Sequence, residues 1–368
     1  MDRVKFCECE ITGELVTERY GTSPVFKTPV TPKENYFAMF NGENPLWMPM
    51  TSDCKGIDIK IDPDNIARAF VFEYEPFDNT SDLGLRPDMF GVNWQYVPKA
   101  GGSMVPGGTP LLEDANEWKE KVVFPDVNAW DWEGSAKANA PWFEQNKDYV
   151  TGITFLNGTT FERLISFMDF MGAAMAIIDD DQKDAVIELC DNICERVYFP
   201  YLENCKKWFP TMDKVTLHDD WGSQMAPFFS AEAARNIILP EMKRLVDHVH
   251  AKGYPCELHS CGHVEDRCDI FAEAGFDSWT PMPMNDTAAL MEKYGDRIAI
   301  GLTSIDDLFD LKDSTEEEQR AAARAFVDRF VRPDKVGLFK RRLNYVTDAF
   351  IEELYKQSRI RYAQLFAD

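Results

Sequence analysis

From Asp148 onward the sequence alternates short apolar or β-branched runs with longer stretches of helical period, and this alternation constrains the fold more than any other feature. The runs are YVTGITFL (149–156), KVTLHDDWG (214–222), PCELHSCG (255–262), FDSWTP (276–281), RIAIGL (297–302) and KVGLF (335–339). Between and after them lie stretches of helix length at 159–171, 181–209, 230–252, 264–274, 286–294, 315–331 and on through Phe366. A strand that reaches the next strand through a helix pairs with it in parallel, so the pattern predicts a parallel sheet with helical crossovers. Upstream, Pro32-Lys33-Glu34-Asn35 opens a short helix, and PLWMPM (45–50) and ARAFVFEY (67–74) read as two further strands. The total of about eight strands is the number that closes a TIM-like (β/α)8 barrel, an α/β fold.

Two segments fall outside that rhythm. Residues 1–30 alternate in places (Val4, Phe6; Cys7, Cys9, Ile11) and contain Thr12-Gly13, which predicts an N-terminal hairpin extension with Cys7 and Cys9 packed on one strand face. Residues 78–147 are rich in glycine and proline and carry Trp94, Trp118, Trp130, Trp132 and Trp142, which reads as an insertion that packs over the barrel as a lid. No repeat or Gly/Ser linker marks a further boundary, so 31–368 reads as a single barrel domain with this insertion.

Charge narrows the partners. The 368 residues include 39 Lys+Arg and 63 Asp+Glu, a net charge of −24 spread along the chain. Such a surface repels phosphate, which argues against nucleic acid. No window approaches the roughly 18 apolar residues of a membrane span, and the first twenty residues lack the apolar core of an export signal, so a cytoplasmic protein is expected. Reduced thiols suit the nine cysteines better than a disulfide framework. Cys190, Cys194 and Cys205 recur with Val186, Leu189, Ile193 and Val197 at helical spacing, which places them in the core. Ile238, Met242, Leu245 and Val249 form the buried seam of the 230–252 helix, Pro240 should bend it, and His248 and His250 read as surface groups.

The chemistry is expected at two strand ends. Leu217-His218-Asp219-Asp220-Trp221-Gly222 ends one β-branched run, and Leu258-His259-Ser260-Cys261-Gly262-His263 ends the next. In a parallel barrel the active centre forms where strands end, and consecutive strands bring these two clusters together. His259 and Cys261, two apart on extended chain, share a face and offer nitrogen and sulfur to one ion, the mixture that zinc favours. Gly262 lets the backbone turn sharply. Of Asp219 and Asp220, one carboxylate can polarise a substrate or bind a metal, or Asp219 can cap a helix or hold Arg235; His218 stands beside them.

HDDWGSQ, the run 230–253, LHSCG (258–262), AGFD (274–277) and the final strand with its long helix resemble the uroporphyrinogen decarboxylase family, as does 31–50. The resemblance implies a distorted (β/α)8 barrel, usually a homodimer. The true decarboxylases of that family carry an arginine-rich amino-terminal segment, which this chain lacks, having only Arg3 and Arg19 before Pro49. The chain is more similar to the zinc methyltransferase branch, which passes methyl groups between a corrinoid protein and a small acceptor, and whose H-x-C pair matches His259 and Cys261. That branch has a further cysteine near the last strand. Here no cysteine follows Cys268, and a carboxylate, Asp219 or Asp220, completes the coordination on this reading. The expected function is therefore methyl transfer in a corrinoid-dependent or O-demethylation system, with zinc on His259 and Cys261 and with Asp219, Asp220 and His218 as catalytic groups. The alternatives are a metal-free decarboxylase and a non-catalytic subunit that docks a corrinoid protein through 88–142.

Overall fold

The computed structural model describes residues 11–17, 21–41, 43–57, 84–97, 102–302, 311, 313–340 and 346–366. The expected 67–74 strand, the positions of Cys7 and Cys9, and residues 78–83 and 98–101 of the insertion lie outside them. Contacts divide the chain into two compact units, one built from 1–55, 148–150 and 277–368, the other from 56–147 and 151–276.

In the first unit, strand Ile11–Thr17 pairs antiparallel with Gly21–Phe26. Thr12-Gly13 is not the turn: it lies inside the first strand, at a register shift between Ile11 and Gly13. The helix Pro32–Ala38 starts with a capping box, in which the Thr31 hydroxyl accepts from the Glu34 N–H and the Glu34 carboxylate accepts from the Thr31 N–H. Residues 45–50 do not form the strand expected of them, apart from Met50, which bridges Phe339 in parallel. The buried Asn35 side chain explains this: it donates to Trp47 O and accepts from Leu46 N–H, taking backbone groups a sheet partner would use. Strands Ser278–Trp279, Ala299–Leu302 and Gly337–Phe339 pair in parallel. Helices Thr287–Tyr294 and Glu316–Phe330 are their crossovers, and Asp348–Leu365 follows.

In the second unit, Lys214–His218 pairs in parallel with Val150–Asn157 on one side and Cys256–His259 on the other. The crossovers are Phe161–Ala176 with the long helical stretch 183–208, and the helix that begins after Ser230 and ends at Ala251. Both long helices contain one π turn, Cys194–Tyr198 ahead of Pro200 and Ala234–Ile238 ahead of Pro240. Proline has no N–H and its ring crowds the carbonyl four residues back. The helices widen instead of breaking: Phe199 N–H reaches Cys194 O and Leu239 N–H reaches Ala234 O, five residues back. Cys190, Cys194 and Cys205 are buried thiols, as the helical spacing predicts. His250 is exposed, whereas His248 is half-buried and stacks on Phe199 with ring centroids 4.0 Å apart.

The tryptophan-rich segment forms a three-stranded antiparallel sheet (Leu85–Pro87, Asn93–Val97, Gly102–Met104) and the helices Trp118–Lys121 and Trp132–Gln145. Trp94, Trp118, Trp130 and Trp132 are buried; the last two meet Tyr201. Their rings act as core of this unit. Asp88 anchors the segment by accepting from Phe90 N–H, Val92 N–H, Trp94 Nε1 and Arg163, the last at 2.6 Å with both charged side chains 1% exposed.

Each unit is thus α/β, with parallel strands joined through helices. A closed eight-stranded ring is not present among the described residues. No helix among them is long and apolar enough to cross a membrane.

Candidate functional site

Parallel register builds the site. His218 and His259 are paired positions of neighbouring strands, and residues so paired point the same way. Leu217 and Leu258, one residue earlier, are fully buried on the opposite face. The two imidazoles therefore stack, with centroids 4.6 Å apart and planes 26° apart. Cys261 Sγ lies 3.5 Å from His259 Nε2.

A carboxylate that sequence reasoning missed completes the cluster. Glu162 stands in the first turn of the Phe161–Ala176 helix, and its Oε2 accepts from His218 Nδ1 at 2.8 Å and from Asp220 N–H at 3.0 Å. The available signal was an acid in the first helical turn directly after a strand end. Asp220 Oδ1 accepts from Cys261 N–H at 2.6 Å and lies 4.0 Å from His218 Nε2. Burial opposes charge on His218, yet Glu162, by charge and hydrogen bond, and then Asp220 and Asp219 push its pKa up to about 9. Burial raises the Glu162 carboxyl, with the His218 charge opposing.

Asp219 faces elsewhere. Its fully buried carboxylate accepts from Thr160 N–H, the Thr160 hydroxyl, Phe161 N–H, Glu162 N–H and Trp221 Nε1. Four of these five donors belong to a helix start, so Asp219 caps that helix from another strand. Burial raises its carboxyl and the hydrogen bonds oppose the rise. Arg235, the other partner considered for it, pairs with Asp269 and Glu273.

The loops after the two strands are tied to each other. His263 N–H donates to Ser223 O at 2.7 Å, and Trp221 N–H donates to the buried Ser260 hydroxyl. Gly262 has φ +96°, and a Cβ there would overlap the Gly222 carbonyl, so both conformation and space require glycine. His263 itself turns to Glu265, and Cys268 is buried.

The structure thus brings together His218, Asp220, His259 and Cys261, with Asp219 behind them. One ligand atom each from His218, Asp220 and His259 lie within 4.8 Å of one another, the only such group of three among the described residues. Donors to one tetrahedral zinc, at about 2.0–2.3 Å from it, are roughly 3.5 Å apart. The His259–Cys261 separation already meets this, and His218, Asp220 and His259 need a closing movement on the order of 1 Å among themselves, while Cys261 Sγ stands outside their group of three.

No protein-family model matches the sequence, and no curated protein is similar to it. A solved structure described as a methyltransferase from Methanosarcina mazei is similar over 90% of this chain and 99% of that one, with TM-score 0.55 and 14% identity. The two chains share a fold. At that identity the likeness carries the architecture and leaves the reaction open. A structure described as a Xaa-Pro dipeptidase with bound methionine in the active site covers 63% of this chain and 61% of its own at TM-score 0.29 and 11% identity, too low for a common fold.

Proposed function

We propose that this chain is a methyltransferase of a corrinoid-dependent methyl-transfer or O-demethylation system, of the uroporphyrinogen decarboxylase kind, with zinc held by His218, Asp220, His259 and Cys261. The observation that carries the proposal is the convergence of two imidazoles, a carboxylate and a thiol at adjacent strand ends. The similarity in fold to a chain described as a methyltransferase supports it. Zinc held there would lower the pKa of a thiol or water that took the place of Asp220 in its coordination, supplying a nucleophile at neutral pH.

The chain's own groups prepare that chemistry. Glu162 on Nδ1 orients His218 and leaves Nε2 as the ligating atom, the carboxylate–histidine arrangement common behind metal ligands. His218 gives up its Nε2 proton on binding. Asp220 is fixed by its own N–H on Glu162 and by Cys261 N–H, so its carboxylate is held beside both histidines. The proposal includes a homodimer in the cytoplasm, a corrinoid protein as partner, and a small methyl donor or acceptor.

Metal analysis of protein purified without added zinc tests it. Roughly one equivalent per chain is expected, lost in His259→Ala and Cys261→Ser, with Glu162→Gln keeping the donors but weakening affinity by roughly 10- to 100-fold. A stoichiometry near zero that His259→Ala leaves unchanged overturns the proposal. A metal-free decarboxylase is the second reading, and it draws on the His218 cation, which can hold a substrate carboxylate. Release of carbon dioxide from uroporphyrinogen by metal-depleted protein would favour it.

A further inference from the structure

The first unit contains a cavity of about 470 Å³ lined by Phe26, Trp47, Tyr149 and Tyr355 together with Glu34, Asp53 and Asp148. Four aromatic rings form part of its wall, beside apolar residues such as Pro24, Val25 and Ile351. Phe26 and Tyr355 stack with centroids 4.3 Å apart and planes 5° apart, and Trp47 meets Tyr355 edge-on at 5.5 Å. Tyr149 already attracts one cation, the Lys55 ammonium 4.4 Å from its ring centre.

The lining is electrostatically one-sided, with three carboxylates and no Lys, Arg or His. Asp53 closes the short 3₁₀ turn Thr51–Asp53 and accepts from Met50 N–H at 2.9 Å, but makes no ion pair among the described residues. Burial pushes its carboxyl up to about 7, with the Met50 hydrogen bond and Lys55 opposing. Glu34 stays charged, its carboxyl lowered by its hydrogen bonds to Thr31.

An anion would face three carboxylates, and a neutral apolar molecule would leave them with only the Lys55 ammonium, seated on Tyr149, as a positive charge nearby. A bare metal ion also fits poorly, since these carboxylates do not converge on one point as His218, Asp220 and His259 do. What satisfies carboxylates and ring faces together is a positive charge carried by apolar substituents. We propose that this cavity binds a small alkylated ammonium ion, with its charge toward Asp53 and its alkyl groups against the aromatic walls.

Calorimetric titration of the full chain with choline and with its neutral isostere 3,3-dimethylbutan-1-ol tests this. Choline is expected to bind at least tenfold more tightly than the alcohol. Asp53→Asn and Tyr149→Leu should each weaken choline at least fivefold, while leaving the alcohol within twofold. Asp148→Asn, an exposed substitution, should weaken choline alone by about twofold and supplies the reading should either other variant fail to fold. Equal affinity for the two probes, no heat from choline at tens of millimolar, or choline affinity unchanged in every folded variant overturns the proposal.

Discussion

Asp53 shows how one side chain can set a pH dependence. Its pKa rises from an ordinary 3.8 to about 7 because burial disfavours the charge, with Lys55 and the Met50 N–H opposing and with Tyr149 and Asp148 nearby. A folded-state pKa above the unfolded one means stability fully present below about pH 4 and lost as pH rises through about 7. Measured against Asp53→Asn, the wild type should therefore lose on the order of 1–3 kcal/mol between pH 4 and pH 7.5 in denaturant unfolding, after discounting for solvent near this half-buried group. Parallel curves for the two proteins would contradict this. The sequence marked HDDWG as chemistry but could not divide its labour, because neighbouring residues on extended chain point opposite ways and register alone decides which faces the ligands. Asp220 meets His218 and Cys261, while Asp219 turns into a helix end. Glu162 escaped notice because its partner, His218, lies 56 residues away.

At the scale of elements, the Phe161–Ala176 helix depends on a cap from another strand. Thr160 precedes the helix but makes no side-chain cap of its own, and Asp219 accepts five hydrogen bonds there. Asp219→Ala leaves those donors buried without an acceptor and should cost about 3–5 kcal/mol, read from urea unfolding, with Asp219→Asn recovering part. A loss below about 1 kcal/mol would show that the cap is dispensable. Helices are legible because apolar period and proline act locally, but the bend expected at Pro240 takes the form of a π turn, which depends on how the freed carbonyl is re-paired. The 45–50 run misled for the converse reason. Its composition suits a strand, but the Asn35 side chain takes the hydrogen bonds a strand partner needs. The Phe161–Ala176 helix also carries a strained residue, Asp169 at φ 59°, whose carboxylate accepts from Gly108 N–H.

Across the whole molecule, a net charge of −24 opposes compaction at low ionic strength. Raising sodium chloride from about 20 to about 200 mM shortens the screening length and should raise the melting temperature by roughly 2 °C or more. A melting temperature that falls with salt would mean that ion pairs such as Arg244 with Asp191 and Glu195 outweigh the general repulsion. The α/β class was readable from strand–helix alternation alone. The division into two units was not, because its boundaries near residues 55, 147–151 and 276 carry no change of composition. Within the second unit, the close approach of Gly262 to Gly222 has a practical meaning for anyone who would re-engineer the strand ends around His218 and His259. The two loops meet there like the leaves of a hinge with no clearance, so a side chain grafted at Gly222 or at Gly262 must displace the facing loop, and redesign at these two positions has to treat both loops as a single part.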